Sequence, residues 1–150
     1  MKKLLILIVT AAVIFLGYKL FFAGGPKKVF MEFCDSWGAN RLDKAWAFSV
    51  KEEVTADFKG KTVNEVTNFM MESIMGANTT VDSSSSGPGL KEKSYDGITL
   101  ILFTPPGMTS AMPTHFIKIR VEGTVRKTAS GWKVVVFMPT FLEMGELKRN

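Results

Sequence analysis

Few residues of this chain have side chains suited to acid–base or nucleophilic chemistry. It contains one histidine, His115, and one cysteine, Cys34. His115 alternates in step with Ile117 and Ile119, so we expect it on the inward face of a strand, near its start. A general base there needs a partner to set its tautomer and pKa. Asp35 and Glu32 lie on the first predicted helix and could serve as that partner only if the fold brings them close to His115. We therefore predict a histidine bonded to backbone or water and no catalytic site, with His115 as the one candidate.

Metal and thiol chemistry are not expected either. Cys34 falls on the apolar face of a predicted helix, which indicates a buried, inert thiol. One histidine without clustered carboxylates falls short of the three ligands that a catalytic metal needs. A single cysteine also excludes an intramolecular disulfide framework. The sequence predicts no metal site and no cofactor.

Five residues are candidates for contact with a partner or ligand. Met108 and Met112 lie in a proline-rich segment, 105–113, that we expect at a hairpin tip, and flexible methionines suit adaptable contact surfaces. Lys118, Arg120 and Arg126 recur on the polar face of an alternating strand. That pattern indicates either a solvated outer sheet face or contact with anionic headgroups or an acidic partner.

The first 25 residues indicate a membrane segment. They contain Lys2, Lys3 and Lys19 but no acidic residue, and thirteen of the fifteen residues at 4–18 are apolar. Residues 4–23 are long enough to span a bilayer core of about 30 Å. We predict a signal anchor over 1–25, the alternative being a signal peptide cleaved near Gly25.

The distribution of charge gives the expected orientation and excludes one class of partner. Lysines before the span favour a cytoplasmic N-terminus, so we expect residues 26–150 outside the cytoplasm of a single-pass inner-membrane protein, or in the periplasm or secreted after cleavage. The whole chain has a net charge of +5, but residues 26–150 carry sixteen basic and fourteen acidic residues, a net +2. We therefore predict no nucleic-acid binding.

Periodicity predicts helices first and strands afterwards. Apolar residues at helical spacing predict a first helix; they are Val29, Phe30, Phe33, Cys34 and Trp37. A second stripe follows at Leu42, Ala45 and Trp46. Thr62 and Glu65 form a capping box, which predicts a third helix extending through Ile74, with Met70, Met71 and Met75 in the core.

The second half of the chain has the pattern of strands. Polar residues 79–86 tolerate a strand, 98–104 read as a buried strand, 114–128 alternate, and 132–138 return as an apolar strand. A second capping box, Thr140 with Glu143, predicts a C-terminal helix. The order predicts the α+β class, with helices packed in a bent antiparallel sheet that leaves a pocket.

Two short runs resemble a known superfamily. Residues 38–46, GANRLDKAW, resemble a helical turn of the nuclear transport factor 2-like proteins, and residues 130–134, SGWKV, resemble their closing strand. Small bacterial exported proteins with one such domain are the most similar group. The resemblance implies a cone of helices in a curved sheet over residues 26–138. Enzymes of this superfamily carry Asp, His and Tyr at inward strand positions, whereas His115 is the sole histidine of this chain and its strands offer no inward aspartate.

These observations together predict a non-enzymatic binding or assembly domain, tethered to the membrane outside the cytoplasm. Its partner would be an envelope protein or a small apolar ligand. One alternative is a small exported isomerase, dehydratase or hydrolase that uses His115. Another is a structural homo-oligomeric envelope protein, because residues 132–138 are apolar on both faces and need a cover from the C-terminal helix or from a second subunit.

Overall fold

The computed structural model describes residues 8–14, 24–58, 61–69, 73–86 and 91–148. These residues form five helical segments and a four-stranded antiparallel sheet, which confirms the α+β class. Residues 8–14 are helical and are called α1. The other elements are α2 (Pro26–Gly38), α3 (Leu42–Ala47), α4 (Lys51–Phe58), α5 (Val63–Thr67), β1 (Ile74–Ser86), β2 (Glu92–Phe103), β3 (His115–Thr128) and β4 (Gly131–Glu146).

The structure contradicts the predicted membrane localisation. Of the expected span over residues 4–23, only residues 8–14 belong to the described part of the chain. Within the described ranges, no helix is long and apolar enough to cross a membrane. The prediction of a single-pass inner-membrane protein with its C-terminal domain outside the cytoplasm is therefore wrong. The division of the chain at residue 25 stays a prediction.

The sheet is a simple meander with the strand order β1-β2-β3-β4. β4 runs on to Glu146, so the predicted C-terminal helix is wrong: Thr140 pairs with Arg120 of β3 instead of capping a helix.

The third predicted helix is also shorter than expected. It ends at Asn68, which has a left-handed backbone with φ 51°. Met75 belongs to β1 and is exposed, while Met70 and Met71 lie outside the described residues.

Helix α2 packs its apolar stripe against one face of the sheet, as its spacing predicts. The Phe30 ring stacks on Tyr95 of β2 with a centroid separation of 5.5 Å. Phe33 and Trp37 meet Phe137 of β4 edge-on, at 4.8 and 5.0 Å. Burying each of these rings contributes roughly 1.5–3 kcal/mol. The sheet consequently has a helix-bearing face and an opposite, outer face.

The connection between α3 and α4 covers part of one sheet edge. Val50 N donates to Val134 O, and Val134 N donates to Phe48 O, each at 2.9 Å. This parallel bridge occupies the free edge of β4 in its first half. Residues 138–146 form the second half, and most of their side chains are exposed. This half of β4 shapes the candidate site.

Candidate functional site

In the described part of the chain, the helices leave the sheet face uncovered at the last residues of β4. Phe141 pairs with Ile119 and Met144 pairs with Ile117, and paired residues share a face of the sheet. The two isoleucines are fully buried, but Phe141 is 42% exposed and Met144 is 47% exposed. An apolar strip therefore continues the core out to solvent.

His115 and Glu146 close this strip at its end. They pair across β3 and β4 on the same face, next to Met144. We call the region formed by His115, Phe141, Met144 and Glu146 the open end. It has the composition of many ligand sites, an apolar lining with a few polar groups.

The imidazole of His115 has a partner on each ring nitrogen. Nδ1 lies 2.9 Å from the Thr114 hydroxyl, and Nε2 lies 3.6 Å from Oε1 of Glu146. The ring also packs against Phe103, with a centroid separation of 5.6 Å. The 3.6 Å separation is longer than a hydrogen bond and suits an ion pair when the ring is protonated. His115 is thus oriented, and its side chain is only 17% exposed.

Glu146 is the site residue that sequence reasoning missed. The second capping box placed it at the end of a helix, away from the start of β3. The alternating pattern of β3 was the available signal, because extending its antiparallel partner by eight residues brings Glu146 opposite His115. The Glu146 side chain is 84% exposed, so it can move towards or away from a bound molecule.

The structure does not aim Asp35 at His115. Asp35 lies on α2 beside Thr79 of β1, and its Oδ1 atom is buried without a hydrogen-bond partner in the described part of the chain. Burial raises the pKa of this carboxyl, and hydrogen bonds from the side chain and backbone of Thr79 oppose the rise.

Cys34 is fully buried, as predicted, and burial raises the pKa of its thiol well above the ordinary value. It is therefore a poor nucleophile.

Met108 and Met112 lie on the segment between β2 and β3, and both are exposed. The segment starts and ends beside the open end, since Phe103 pairs with His115 and Thr114 N donates to Phe103 O at 3.2 Å. The Thr104 and Ser110 hydroxyls both donate to Met112 O, at 3.5 and 2.7 Å. The structure therefore places both methionines at the same end of the sheet as His115. Their role in binding stays a prediction.

Lys118 and Arg120 project from the outer face and are matched by carboxylates. Lys118 lies 3.5 Å from Glu143, and Arg120 makes a two-pronged contact with Asp96 at 3.1 and 2.5 Å. Hydrogen bonding from Arg120 lowers the pKa of Asp96. These charges form cross-strand pairs, so an acidic partner would compete with the chain's own carboxylates.

Arg126 is paired in the same way. It donates from Nε to Glu92 at 2.5 Å and from Nη1 to Glu53 of α4 at 2.9 and 3.0 Å. Its contacts bridge the sheet and a helix. Contact of Lys118, Arg120 and Arg126 with a partner stays a prediction.

Among the described residues, no group of three or more His, Cys, Asp or Glu side chains could hold a metal ion.

Comparison with known proteins gives a likeness of fold. No protein-family model matches the chain, and no curated protein matches it. A similar solved structure is that of a candidate aromatic ring hydroxylase from Novosphingobium aromaticivorans, with a TM-score of 0.51 and 9% sequence identity. The match covers 81% of this chain and 90% of that chain. At this identity the similarity shows a shared fold alone.

Proposed function

We propose that this chain is a binding domain of the nuclear transport factor 2-like class that holds a small apolar ligand at the open end. The observation that carries the proposal is the exposure of Phe141 and Met144 on the face where their partners Ile117 and Ile119 are fully buried. Covering apolar surface contributes about 25 cal/mol per Å² to binding. A ligand seated there would extend the existing core.

The polar end of the same strip would orient the ligand. His115 offers an imidazole nitrogen, and Glu146 offers carboxylate oxygens, 3.6 Å apart. A ligand with an apolar body and one hydroxyl or carbonyl group matches this arrangement, because a few polar groups in an apolar site fix orientation. The exposed Met108 and Met112 segment would then pack over the ligand.

The fold class supports this assignment. The order of helices followed by an antiparallel meander matches the cone that the sequence resemblance implies, and the likeness to the Novosphingobium protein covers most of both chains.

A second candidate function is acid–base catalysis by His115. The contact with Glu146 favours it, because a carboxylate beside an imidazole holds the ring in one orientation, as a general base requires. The Novosphingobium protein, similar in fold, is also named for an enzymatic activity, that of a hydroxylase. The reaction would be of the isomerase, dehydratase or hydrolase type, with His115 moving a proton on the bound ligand.

The experiment is a titration of the full, isotope-labelled chain with a series of aromatic and aliphatic alcohols, followed by amide chemical shifts. We expect saturable shifts at the open end. Met144→Ser should weaken binding roughly tenfold, which corresponds to about 1.4 kcal/mol of lost apolar contact. Met138→Ser is the matched control, since Met138 is exposed on the same strand but pairs with Glu122 on the outer face.

Two results would contradict the binding proposal: equal effects of the two methionine variants, or shifts that stay away from His115 and Phe141. His115→Ala separates the two candidate functions. A binding domain should keep weakened, saturable binding in this variant. The other result is that the wild type, and not His115→Ala, turns over a bound alcohol or its carbonyl analogue by isomerisation, dehydration or hydrolysis. That result would assign the catalytic function to the chain in place of simple binding.

A further inference from the structure

A second concave site lies on the outer face of the sheet, away from the open end. It is a groove of about 420 Å³ that crosses all four strands. It lies opposite α2, because Tyr95 in the middle of the groove region turns its ring inward onto Phe30 while its neighbours Ser94 and Asp96 line the groove. The volume is within the range of small-molecule sites, about 300–1,000 Å³.

One row of side chains across the groove is rich in hydroxyl groups. In register from β1 to β4, it consists of Ser85, Ser94, Thr124 and Val136. The Ser94 and Thr124 hydroxyls lie 3.0 Å apart. Each hydroxyl offers one donor and two acceptor positions, so this pair keeps capacity for a ligand after bonding to each other. Val136 supplies an apolar end to the row.

The adjacent row adds two carboxylates that are held in place. It consists of Ser83, Asp96, Glu122 and Met138. Arg120, the next residue on the same face of β3, donates to both Asp96 oxygens and to Glu122 Oε1 at 3.3 Å. The carboxylates are thereby oriented and partly compensated in charge. Each has about four lone-pair positions, so both can accept further hydrogen bonds.

These side chains match a ligand with many hydroxyl groups and little charge. Carboxylates accept strong hydrogen bonds from hydroxyl donors, and serine and threonine can donate or accept. The two carboxylates disfavour an anion, while Arg120 offsets their attraction for a cation. The side chains of Val136 and Met138 offer an apolar surface for the C–H face of a ring. We propose that this groove, which we call the serine groove, binds a short neutral saccharide. It is independent of the function proposed for the open end.

The proposal can be tested with the full, isotope-labelled chain and a panel of neutral mono- and disaccharides of glucose and N-acetylglucosamine. Amide chemical shifts would be recorded up to tens of millimolar sugar, with glycerol as a non-cyclic polyol control. We expect saturable shifts at Ser83–Ser85, Ser94 and Thr124 for at least one saccharide, and none with glycerol.

Two variants test the groove chemistry without removing the fold. The double variant Ser94→Val and Thr124→Val removes two hydroxyls that bond to each other, a change that leaves no buried polar group unpaired. It should weaken saccharide binding about tenfold or more, because the ligand loses its hydrogen bonds to both hydroxyls. Thr140→Val is the matched control, because Thr140 lies on the same face opposite Arg120, two rows away from Ser94 and Thr124.

The outcomes separate cleanly. Saturable binding that the double variant loses and Thr140→Val keeps would support the serine groove. No saturable shift with any saccharide, or shifts that are unaffected by the double variant, would overturn it. Shifts confined to the open end would likewise contradict it, and would assign the sugar to the site already proposed.

Discussion

The ring of Phe30 on α2 packs directly against the backbone of Gly123 on β3. A Cβ atom at position 123 would lie 2.6 Å from Phe30 Cε2 and 2.5 Å from Val136 O. Such distances do not occur between real atoms, so the glycine is required for this approach of helix to sheet. Tyr95 pairs with Gly123 across β2 and β3, and its ring also stacks on Phe30. Helix α2 can therefore pack this closely against the sheet only because residue 123 has no side chain.

The first prediction follows from this contact. Gly123→Ala should lower the free energy of unfolding by about 1–3 kcal/mol, because the added methyl group overpacks a fully buried ring. Urea denaturation followed by tryptophan fluorescence would measure it. Gly76→Ala is the control, since nothing lies within 4 Å of a Cβ at that strand position. Equal stability of Gly123→Ala and the wild type would contradict the close approach of α2 to β3.

The second prediction concerns Asp35, whose carboxyl pKa is raised mainly by burial. An acid with a raised pKa in the folded state favours its neutral form there, so it costs stability that grows as the pH rises from the ordinary aspartate value through the raised pKa. Asp35→Asn should therefore raise the free energy of unfolding at pH 7. The gain should fade as the pH drops towards and below the ordinary aspartate value of about 4.

Denaturation curves at several pH values would check this dependence. Asp82→Asn is the control, because it removes the same charge from an exposed position on β1. A gain for Asp35→Asn that is equal at acid and neutral pH would show that ionisation of Asp35 is not the cause.

Periodicity predicted the elements with one strongly apolar face. The stripe of α2 and the alternation of β3 were both readable, because Phe33 and Trp37 recur at the helical period and Ile117 and Ile119 at the strand period. The ends of the helices and strands were harder to predict from the sequence. The third helix was extended through Ile74, whereas Ile74 pairs with Phe103 and begins β1. Local spacing does not contain such a long-range pairing.

The candidate site was only half predictable for the same reason. His115 was identified from its residue type and its parity with Ile117. Its partner Glu146 depends on β4 continuing beside β3, which the local sequence of residues 140–147 did not indicate. The prolines around Met108 and Met112 predict an irregular segment, and the structure shows both side chains exposed on the connection between β2 and β3.

The third prediction concerns the ion pair that ties α4 to the sheet. Arg126 reaches Glu53 on α4 while its Nε atom is held by Glu92. A double-mutant cycle with Arg126→Met and Glu53→Gln should give a coupling of about 0.2–1 kcal/mol, since both side chains are partly exposed. The coupling should shrink in high salt.

Lys118 and Glu143 are the comparison pair for this cycle. They lie 3.5 Å apart within the sheet, and no second carboxylate is shown orienting Lys118 among the described contacts. Their coupling should be smaller than that of Arg126 and Glu53. The reverse order would show that the Glu92 contact does not position Arg126 for Glu53.

The last prediction separates two identical sequence signatures. Thr62 with Glu65 forms a true capping box, in which Glu65 N donates to Thr62 Oγ1 at 3.3 Å and Thr62 N donates to Glu65 Oε2 at 2.5 Å. Thr140 with Glu143 has the same spacing, but Thr140 lies in β4 opposite Arg120. Thr62→Val should therefore cost about 0.5–2 kcal/mol of stability through the lost cap.

Thr140→Val should be neutral or slightly stabilising, because valine is at least as favourable as threonine in a strand and no cap is lost. The two variants have the same change in shape and chemistry, so the difference between their urea midpoints reports the backbone conformation at each site. If Thr140→Val lost as much stability as Thr62→Val, residue 140 would cap a helix. Glu146 would then leave its place beside His115, and the proposed open end would lose its polar partner.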